Sequence, residues 1–169
     1  MQINVAQQLS SAMGAVKEHD VNVVMDVTGG GNTSLVKGKV SLTRTDRGIL
    51  VKGVLDTGVE LTCSRCLGIF QCPLALDIEE EYFPTVDVAS GAPLPLPDES
   101  GLFTIDANHE LDLTEAVQQY ALLAMPMKPL CRQDCAGLCP VCGQNLNQGA
   151  CKCLPREADP RWAELKKIL

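Results

Sequence analysis

Cysteines constrain this chain more than any other feature. Six of the nine lie between Cys131 and Cys153, and two more stand upstream at Cys63 and Cys66. At the centre of the cluster is Cys139-Pro140-Val141-Cys142-Gly143, a C-x2-C-G turn typical of one knuckle of a zinc ribbon. Two cysteines separated by two residues can bind one tetrahedral Zn²⁺ from a single tight turn. The glycine after them permits the positive φ that such a turn usually needs. We therefore expect metal binding to stabilise the fold of the C-terminal third of the chain.

The predicted ligands are the six cysteines of this cluster, four for each site, and they are Cys131, Cys135, Cys139, Cys142, Cys151 and Cys153. Spacing does not choose between the flanking pairs, C-x3-C before the turn and C-x-C after it. We favour a single structural zinc site centred on Cys139 and Cys142. In the alternative, Cys63 and Cys66 join the six to make two all-cysteine sites. An iron–sulfur cluster is the rival occupant, since four thiolates also suit it.

The pair Cys63-x2-Cys66 is open to three interpretations: metal ligands, close-packed thiols or a redox pair. The ninth cysteine, Cys72, falls on the apolar side of a predicted strand and is expected to be a small buried core residue.

No apolar run in the sequence approaches the length of a membrane span. The N-terminus lacks the pattern of a signal peptide, so we expect a cytoplasmic protein. Thiols stay reduced there, which favours metal or redox chemistry over structural disulfides.

Charge is distributed unevenly along the chain. Residues 1–127 carry 17 acidic and 7 basic side chains, whereas residues 128–169 carry 4 acidic and 7 basic ones. The overall charge of −7 argues against nonspecific binding to nucleic acid, which needs clustered Lys and Arg. It suits a basic partner such as a ribosomal protein. The alternative is that the acidity serves only solubility.

Alternating apolar residues and short turns predict an α+β chain with an antiparallel β-rich domain over residues 1–83, closing into a barrel or a curved sheet. Ala6 to Val16 is predicted as a short helix. The run Gly29-Gly30-Gly31-Asn32 is predicted to be a hairpin turn, because no Gly-Lys-Ser/Thr follows it. Asp56-Thr57-Gly58 is predicted to be a second turn. The clearest strand runs from Phe70 to Ile78 and ends at three glutamates.

A proline-rich stretch over residues 84–101 is predicted to be a flexible linker. Residues 102–169 are then expected to hold a helix, a small zinc-ribbon-like module and a C-terminal helix. Asp112-Leu113-Thr114-Glu115 has the spacing of a capping box, and an apolar stripe follows it. Asp159 and Pro160 begin the last predicted helix, which Trp162 is expected to pack onto the metal module.

The chain offers little for catalysis. Its two histidines, His19 and His109, fall in predicted turns without a candidate nucleophile nearby, and no hydrolase, metalloprotease, nucleotide-binding or dinucleotide-binding motif occurs. An all-cysteine zinc site is usually closed and structural, whereas a catalytic zinc keeps a position for water. We therefore expect a protein that is not an enzyme.

Several segments in their order resemble the YceD family, whose members are called large ribosomal RNA subunit accumulation proteins. The most telling segment is GLCPVCGQNLN at residues 137–147 with the Cys-x-Cys that follows it. The others are Leu61-Thr62-Cys63-Ser64-Arg65-Cys66-Leu67, an acidic strand, a proline-rich gap, Asp112-Leu113-Thr114-Glu115 and Pro129-Leu130-Cys131. The resemblance covers most of the chain.

The resemblance implies a cytosolic bacterial or plastid protein that is needed for normal levels of large-subunit ribosomal RNA. It also implies an association with the genes of large-subunit ribosomal proteins. Some members keep the Cys63–Cys66 pair without the later cluster, which suggests that this pair, with Arg65 between its cysteines, matters in its own right.

We expect the acidic sheet to engage a basic ribosomal protein or a large-subunit assembly factor. Ribosomal RNA is a further expected contact, through the basic side chains of the tail, Lys128, Arg132, Lys152, Arg156, Lys166 and Lys167. Two other functions remain open. One is a redox-regulated, chaperone-like switch that acts through thiols or zinc release. The other is a zinc-containing nucleic-acid-binding regulator, against which the net charge and the few aromatic residues weigh.

Overall fold

The computed structural model describes residues 1–98 and 101–154, and strands dominate it. Two helices and seven strands make up its regular structure. In chain order they are β1 Gln2–Asn4, α1 Ala6–Leu9, β2 Val16–Asp26, β3 Thr33–Arg44, β4 Ile49–Thr62, β5 Ile69–Pro84, β6 Phe103–Ile105, β7 Glu110–Asp112 and α2 Thr114–Ala124. Neither helix is long and apolar enough to cross a membrane. The predicted C-terminal helix, with Asp159, Pro160 and Trp162, lies outside the described residues.

The strands form one curled, half-barrel-like sheet in the order β1-β7-β6-β5-β4-β3-β2. The pairs β1–β7, β2–β3, β3–β4 and β6–β7 are antiparallel, whereas β5–β6 is parallel over Tyr82–Pro84. The predicted curved β-rich sheet is thus confirmed, and it includes two short strands that follow the proline-rich stretch. The β2–β3 hairpin turns at the glycine run, as predicted.

The proline-rich stretch differs from the predicted linker. Two parallel strands need a crossover connection of a dozen or more residues, and residues 85–102 provide that connection between β5 and β6. Thr85 donates its N–H to the carbonyl of Ile105 (3.1 Å), and Leu94 donates to the carbonyl of Thr85 (2.9 Å). Val86 and Pro93 form an antiparallel bridge. Residues 85–98 therefore fold back beside the sheet instead of running as an unpaired extension.

Two local predictions were wrong. The helix predicted over residues 6–16 ends at Leu9, because a turn with Gly14 at φ 83° follows and β2 begins at Val16 to pair with β3. The turn predicted at Asp56-Thr57-Gly58 is absent, because β4 continues through it to Thr62. Pairing with neighbouring strands overrides the local helix preference in the first case and the local turn preference in the second.

The core lies between one face of the sheet and α2. Alternate residues of β3, β4 and β5 are buried, and Ala116, Val117 and Ala121 of α2 are buried with them. Gln118 of α2 donates to the carbonyl of Asp26 (2.8 Å). The Tyr120 hydroxyl accepts the N–H of Glu79 (3.3 Å) on β5. These contacts attach the helix to two strands that are not neighbours.

Contacts divide the chain into two compact units. One comprises Met1–Glu60 and Gln71–Met127, and the other comprises Leu61–Phe70 and Lys128–Leu169, of which the residues up to 154 are described. The second unit therefore joins the connection between β4 and β5 to the cysteine-rich tail. The sequence-based division into residues 1–83, 84–101 and 102–169 stays a prediction as far as independent folding is concerned.

Candidate functional site

Eight of the nine cysteines lie together in the second unit, in two groups of four. Within each group, the four sulfur atoms lie within 4.8 Å of one another. We call them the upstream group and the downstream group. The upstream group is Cys63, Cys66, Cys131 and Cys135; the downstream group is Cys139, Cys142, Cys151 and Cys153.

This arrangement differs from the favoured prediction of one site with two spare cysteines. It corresponds to the alternative in which Cys63 and Cys66 join the six later cysteines. Cys72, which was predicted to be buried in the core, is half-buried on β5 and belongs to neither group. All nine cysteines lie outside disulfide bonds.

The downstream group begins with a tight turn over residues 139–144. The N–H of Gly143 donates to the carbonyl of Cys139 (2.9 Å), and the N–H of Cys139 donates to the carbonyl of Gln144 (2.8 Å). The N–H of Val141 donates to Cys139 Sγ (3.4 Å). Gly143 has a φ of 75°, as predicted from its position after the second cysteine. This geometry points both cysteines of the pair at one centre.

The upstream group contains a turn with the same hydrogen bonds. The N–H of Leu67 donates to the carbonyl of Cys63 (3.0 Å), and the N–H of Cys63 donates to the carbonyl of Gly68 (2.9 Å). The N–H of Arg65 donates to Cys63 Sγ (3.5 Å). Leu67 has a φ of 55° and occupies the position that Gly143 has in the downstream turn. Residues 63–68 and 139–144 are therefore two copies of one backbone turn.

Sequence reasoning missed this equivalence because the glycine signal is displaced by one residue. A glycine follows Cys142 directly, whereas Leu67 follows Cys66 and Gly68 comes next. An L-residue in the left-handed region costs about 1–2 kcal/mol, so leucine is not expected there from propensity. The Cys-x2-Cys spacing was the available signal, and it left three interpretations open.

Hydrogen bonds hold Cys131 and Cys135 against the upstream turn. The N–H of Ser64 donates to the carbonyl of Pro129 (2.8 Å). The Arg65 guanidinium donates to the carbonyls of Cys135 (3.2 Å) and Gln133 (3.4 Å). Arg65 thereby fastens the turn to the C-x3-C segment.

The sulfur distances fit the ligands of a single tetrahedral ion. Cys63 Sγ lies 3.8 Å from Cys135 Sγ, and Cys66 Sγ lies 3.7 Å from Cys131 Sγ. Zn–S bonds of about 2.3 Å at tetrahedral angles place two sulfurs about 3.8 Å apart. In a four-iron cluster each cysteine binds a different iron, so the sulfurs stand farther apart. Each of the two groups could therefore hold one metal ion.

Backbone donors favour ionisation of the first cysteine in each turn. The N–H groups of Cys131 and Cys66 lower the pKa of Cys63 to about 6. Those of Cys142 and Val141 lower the pKa of Cys139 to about 6. Within so small a volume, each further thiolate adds repulsion that only a cation can offset. The donor sets thus favour a soft divalent cation.

The two groups differ in burial. Cys63 is fully buried, Cys66 and Cys135 are nearly so, and Phe70 and Leu130 pack against these three. In the downstream group Cys139 alone is buried, while Cys142 is exposed. Cys131 is the exposed member of the upstream group, so three of the four upstream cysteines are buried and one of the four downstream cysteines is.

The predicted RNA-contacting side chains are described only in part. Lys128, Arg132 and Lys152 are exposed. The Arg132 guanidinium donates to Asn147 Oδ1 (2.6 Å) and lies 3.5 Å from an Asp134 carboxylate oxygen. Arg156, Lys166 and Lys167 lie outside the described residues.

Carboxylates gather around Tyr82 at one end of the sheet. Burial and the charges of Glu80, Asp112 and Glu115 raise the pKa of its hydroxyl. Tyr120 of α2 donates to Glu80 (3.0 Å). Asp112 pairs with the N-terminal ammonium of Met1 (2.8 Å), and other carboxylates of the sheet pair with bases: Lys39 with Asp20, Lys52 with Glu79 and Arg47 with Glu81. We call Glu80, Asp112 and Glu115 the acidic patch.

Comparison with known proteins identifies relatives. A family model described as "Large ribosomal RNA subunit accumulation protein YceD" matches residues 51–169. An uncharacterized protein of Mycobacterium tuberculosis is 31% identical over 122 residues, which cover 72% of this chain and 56% of that protein. A Zea mays protein named large ribosomal RNA subunit accumulation protein YCED homolog 1, chloroplastic, is 29% identical over 155 residues, 78% of this chain and 53% of that protein.

The Arabidopsis thaliana protein of the same name is 25% identical over 186 residues, covering 98% of this chain and 56% of that protein. The chain thus spans about half the length of the curated relatives it matches. No solved structure matches it.

Proposed function

Since this chain belongs to the YceD family of large ribosomal RNA subunit accumulation proteins, we propose that it supports the accumulation of 23S ribosomal RNA as a cytoplasmic, non-enzymatic factor in assembly of the large ribosomal subunit. The observation that carries the proposal is the family match over residues 51–169. That range includes most of β4, all of β5 to β7 and α2, and both cysteine groups.

The proposal includes a structural zinc ion in the downstream group, held by Cys139, Cys142, Cys151 and Cys153. Three features support it: the turn over residues 139–144, four sulfurs within 4.8 Å of one another, and the lowered pKa of Cys139. Leu138 and Asn145 form an antiparallel bridge across the turn, as expected of a ribbon. Four thiolates fill the coordination sphere of zinc, so the ion would stabilise the fold and leave no position for a substrate.

The charge distribution supports a protein partner. The acidic patch supports a contact with a basic protein, such as a ribosomal protein or a large-subunit assembly factor, because opposite charge steers and orients such encounters. Glu80 and Glu115 lie on β5 and α2, and both contribute to the field at Tyr82.

Ribosomal RNA is the second proposed contact. Lys128 and Lys152 are exposed in the unit that carries the cysteines. Lysines placed singly give weak, salt-sensitive phosphate contacts. We therefore assign them to positioning on an existing protein–RNA complex and not to binding of free RNA.

Ribosome profiles test the functional proposal. Cells lacking the gene should show fewer free large subunits and fewer complete ribosomes relative to small subunits, and the wild-type gene should restore the ratio. An unchanged ratio of large to small subunits would refute the proposed role.

Affinity capture tests the partner. The wild-type chain should enrich a basic large-subunit protein or assembly factor from lysate, and the double variant Glu80→Gln, Glu115→Gln should lose it. The matched control is Glu18→Gln, Asp20→Asn, which removes two exposed carboxylates from β2. Equal capture by both variants would show that the acidic patch is not the contact.

A further inference from the structure

We infer that Cys63, Cys66, Cys131 and Cys135 form a second tetrahedral zinc site, which is separate from the downstream group and joins two distant segments of the chain. This inference goes beyond the proposed function and does not depend on a ribosomal role.

The first argument is the equivalence of the two turns. Residues 63–68 and 139–144 share the same two backbone hydrogen bonds, the same N–H donor to the first sulfur and the same positive φ after the second cysteine. A leucine is held in the left-handed region at this position. Such strain persists only where the surrounding structure requires it, and the requirement here is a turn that points two sulfurs at one centre.

The second argument is the distance between the sulfurs. Separations of 3.7 and 3.8 Å match the edges of a tetrahedron with Zn–S bonds of about 2.3 Å. They exceed a disulfide bond by nearly a factor of two. All four sulfurs lie within 4.8 Å of one another, as a single ion requires and as two separate thiol pairs do not.

The third argument is the support around the sulfurs. Asn147 Nδ2 donates to Cys135 Sγ (3.3 Å), and Asn147 Oδ1 accepts the N–H of Ala136 (2.8 Å). The N–H of Arg65 donates to Cys63 Sγ (3.5 Å). Hydrogen bonds of this kind orient metal ligands and stabilise thiolate charge. A zinc ion with four thiolates carries a net charge of about −2, which the Arg65 guanidinium beside the site partly offsets.

The inferred ion has a structural consequence that the downstream ion lacks. It connects Cys63 and Cys135, which are 72 residues apart in sequence, whereas the downstream ligands lie within one short segment. Closing so long a loop constrains the unfolded chain more than closing a short one. Because three of its four ligands are buried, against one of the four downstream ligands, the upstream ion should also leave more slowly than the downstream ion.

Metal analysis of purified variants tests the inference. The wild-type chain should hold two zinc ions per chain, and Cys72→Ser, which alters the one cysteine outside both groups, should also hold two. The double variants Cys63→Ser, Cys66→Ser and Cys139→Ser, Cys142→Ser should each hold one. One ion in the wild type, retained by Cys63→Ser, Cys66→Ser and lost by the downstream variant, would overturn the upstream site while leaving the downstream site intact.

A second measurement on the unaltered chain keeps the test independent of whether a variant folds. Native alkylation of the zinc-loaded protein should spare eight thiols, and a chelator pulse should expose the downstream four faster than the upstream four, because more of the upstream four are buried. Peptide mapping identifies the cysteines in each phase. Rapid alkylation of Cys63, Cys66 and Cys135 in zinc-loaded protein would contradict the inference.

Discussion

The side-chain amide of Asn147 donates a hydrogen bond to Cys135 Sγ over 3.3 Å. Asn147 lies between Cys142 and Cys151, in the loop that connects two ligands of the downstream group, whereas Cys135 belongs to the upstream group. The two groups are therefore linked by a side chain as well as by the residues between Cys135 and Cys139. Loosening the downstream loop should consequently weaken the upstream site.

Substitution of Asn147 tests this link. Asn147→Ala removes the donor to Cys135 Sγ and the acceptor for the Ala136 N–H. Loss of such a supporting contact typically costs 10–100-fold in metal affinity, so we expect zinc to leave the upstream group at least about 10-fold faster under chelator competition. Gln148→Ala, at the exposed neighbouring position, should release zinc at the wild-type rate. Equal rates in both variants would show that the hydrogen bond does not support the site.

Gly143 and Leu67 occupy the same position in the two turns, and we expect Gly143→Ala and Leu67→Gly to change the free energy of unfolding differently. Gly143→Ala places a Cβ in the left-handed region and should lower the free energy of unfolding by about 1 kcal/mol. Leu67→Gly removes the same strain and should leave that free energy equal or higher, because Leu67 is 64% exposed and loses little burial. Chemical denaturation of the zinc-loaded proteins measures both. A large loss for Leu67→Gly would mean that its side chain, and not its backbone, matters.

The backbones of β3 and β4 lie so close together at Gly53 that any side chain at this position should destabilise the protein. A Cβ on Gly53 would lie 2.3 Å from the carbonyl oxygen of Lys39 and 2.8 Å from Val40 Cα on the paired strand. The strands would have to separate, so Gly53→Ala should cost about 1–3 kcal/mol of unfolding free energy. Gly30→Ala is the control, since its Cβ would lie 3.6 Å from the nearest side-chain atom. Denaturation midpoints that shift equally in the two variants would refute the close approach.

Two aspartates in turns, Asp26 and Asp106, should account for part of the loss of folding stability at low pH. The N–H groups of Gly31, Gly29 and Thr28 lower the pKa of Asp26, and those of Glu110 and Asn108 lower the pKa of Asp106. A lowered folded-state pKa gives stability that is complete above the unfolded value of about 3.9 and is lost as pH falls through the folded value.

Carboxyl carbon NMR shifts should therefore place both midpoints below about 3.9. Asp26→Asn should reduce the acid dependence of unfolding, since it keeps the shape of the side chain and removes the charge. Midpoints at or above the ordinary aspartate value would contradict the hydrogen-bond assignment.

Local patterns in the sequence predicted much of the sheet. Alternation located β3 and the buried residues of β5, and the glycine run located the β2–β3 turn. Pairing between distant segments was not predictable, because no local signal specifies it. The parallel pairing of β5 with β6 converts a presumed linker into a crossover, and β7 brings β1 into the same sheet.

The same limit applies to the candidate site. The Cys139–Cys142 turn was identifiable from its spacing and its glycine. The grouping of Cys63 and Cys66 with Cys131 and Cys135 depends on two segments that only the fold brings together. The sequence identified the candidate cysteines, whereas their division into two groups of four is visible only in the tertiary structure.

The proposal that this chain supports the accumulation of large-subunit ribosomal RNA is tested most directly by measuring the amount of that RNA in cells. The ratio of large-subunit to small-subunit ribosomal RNA should fall when the gene is deleted, and a plasmid copy of the wild-type chain should restore it. A ratio unchanged by the deletion, at equal growth rate, would contradict the account.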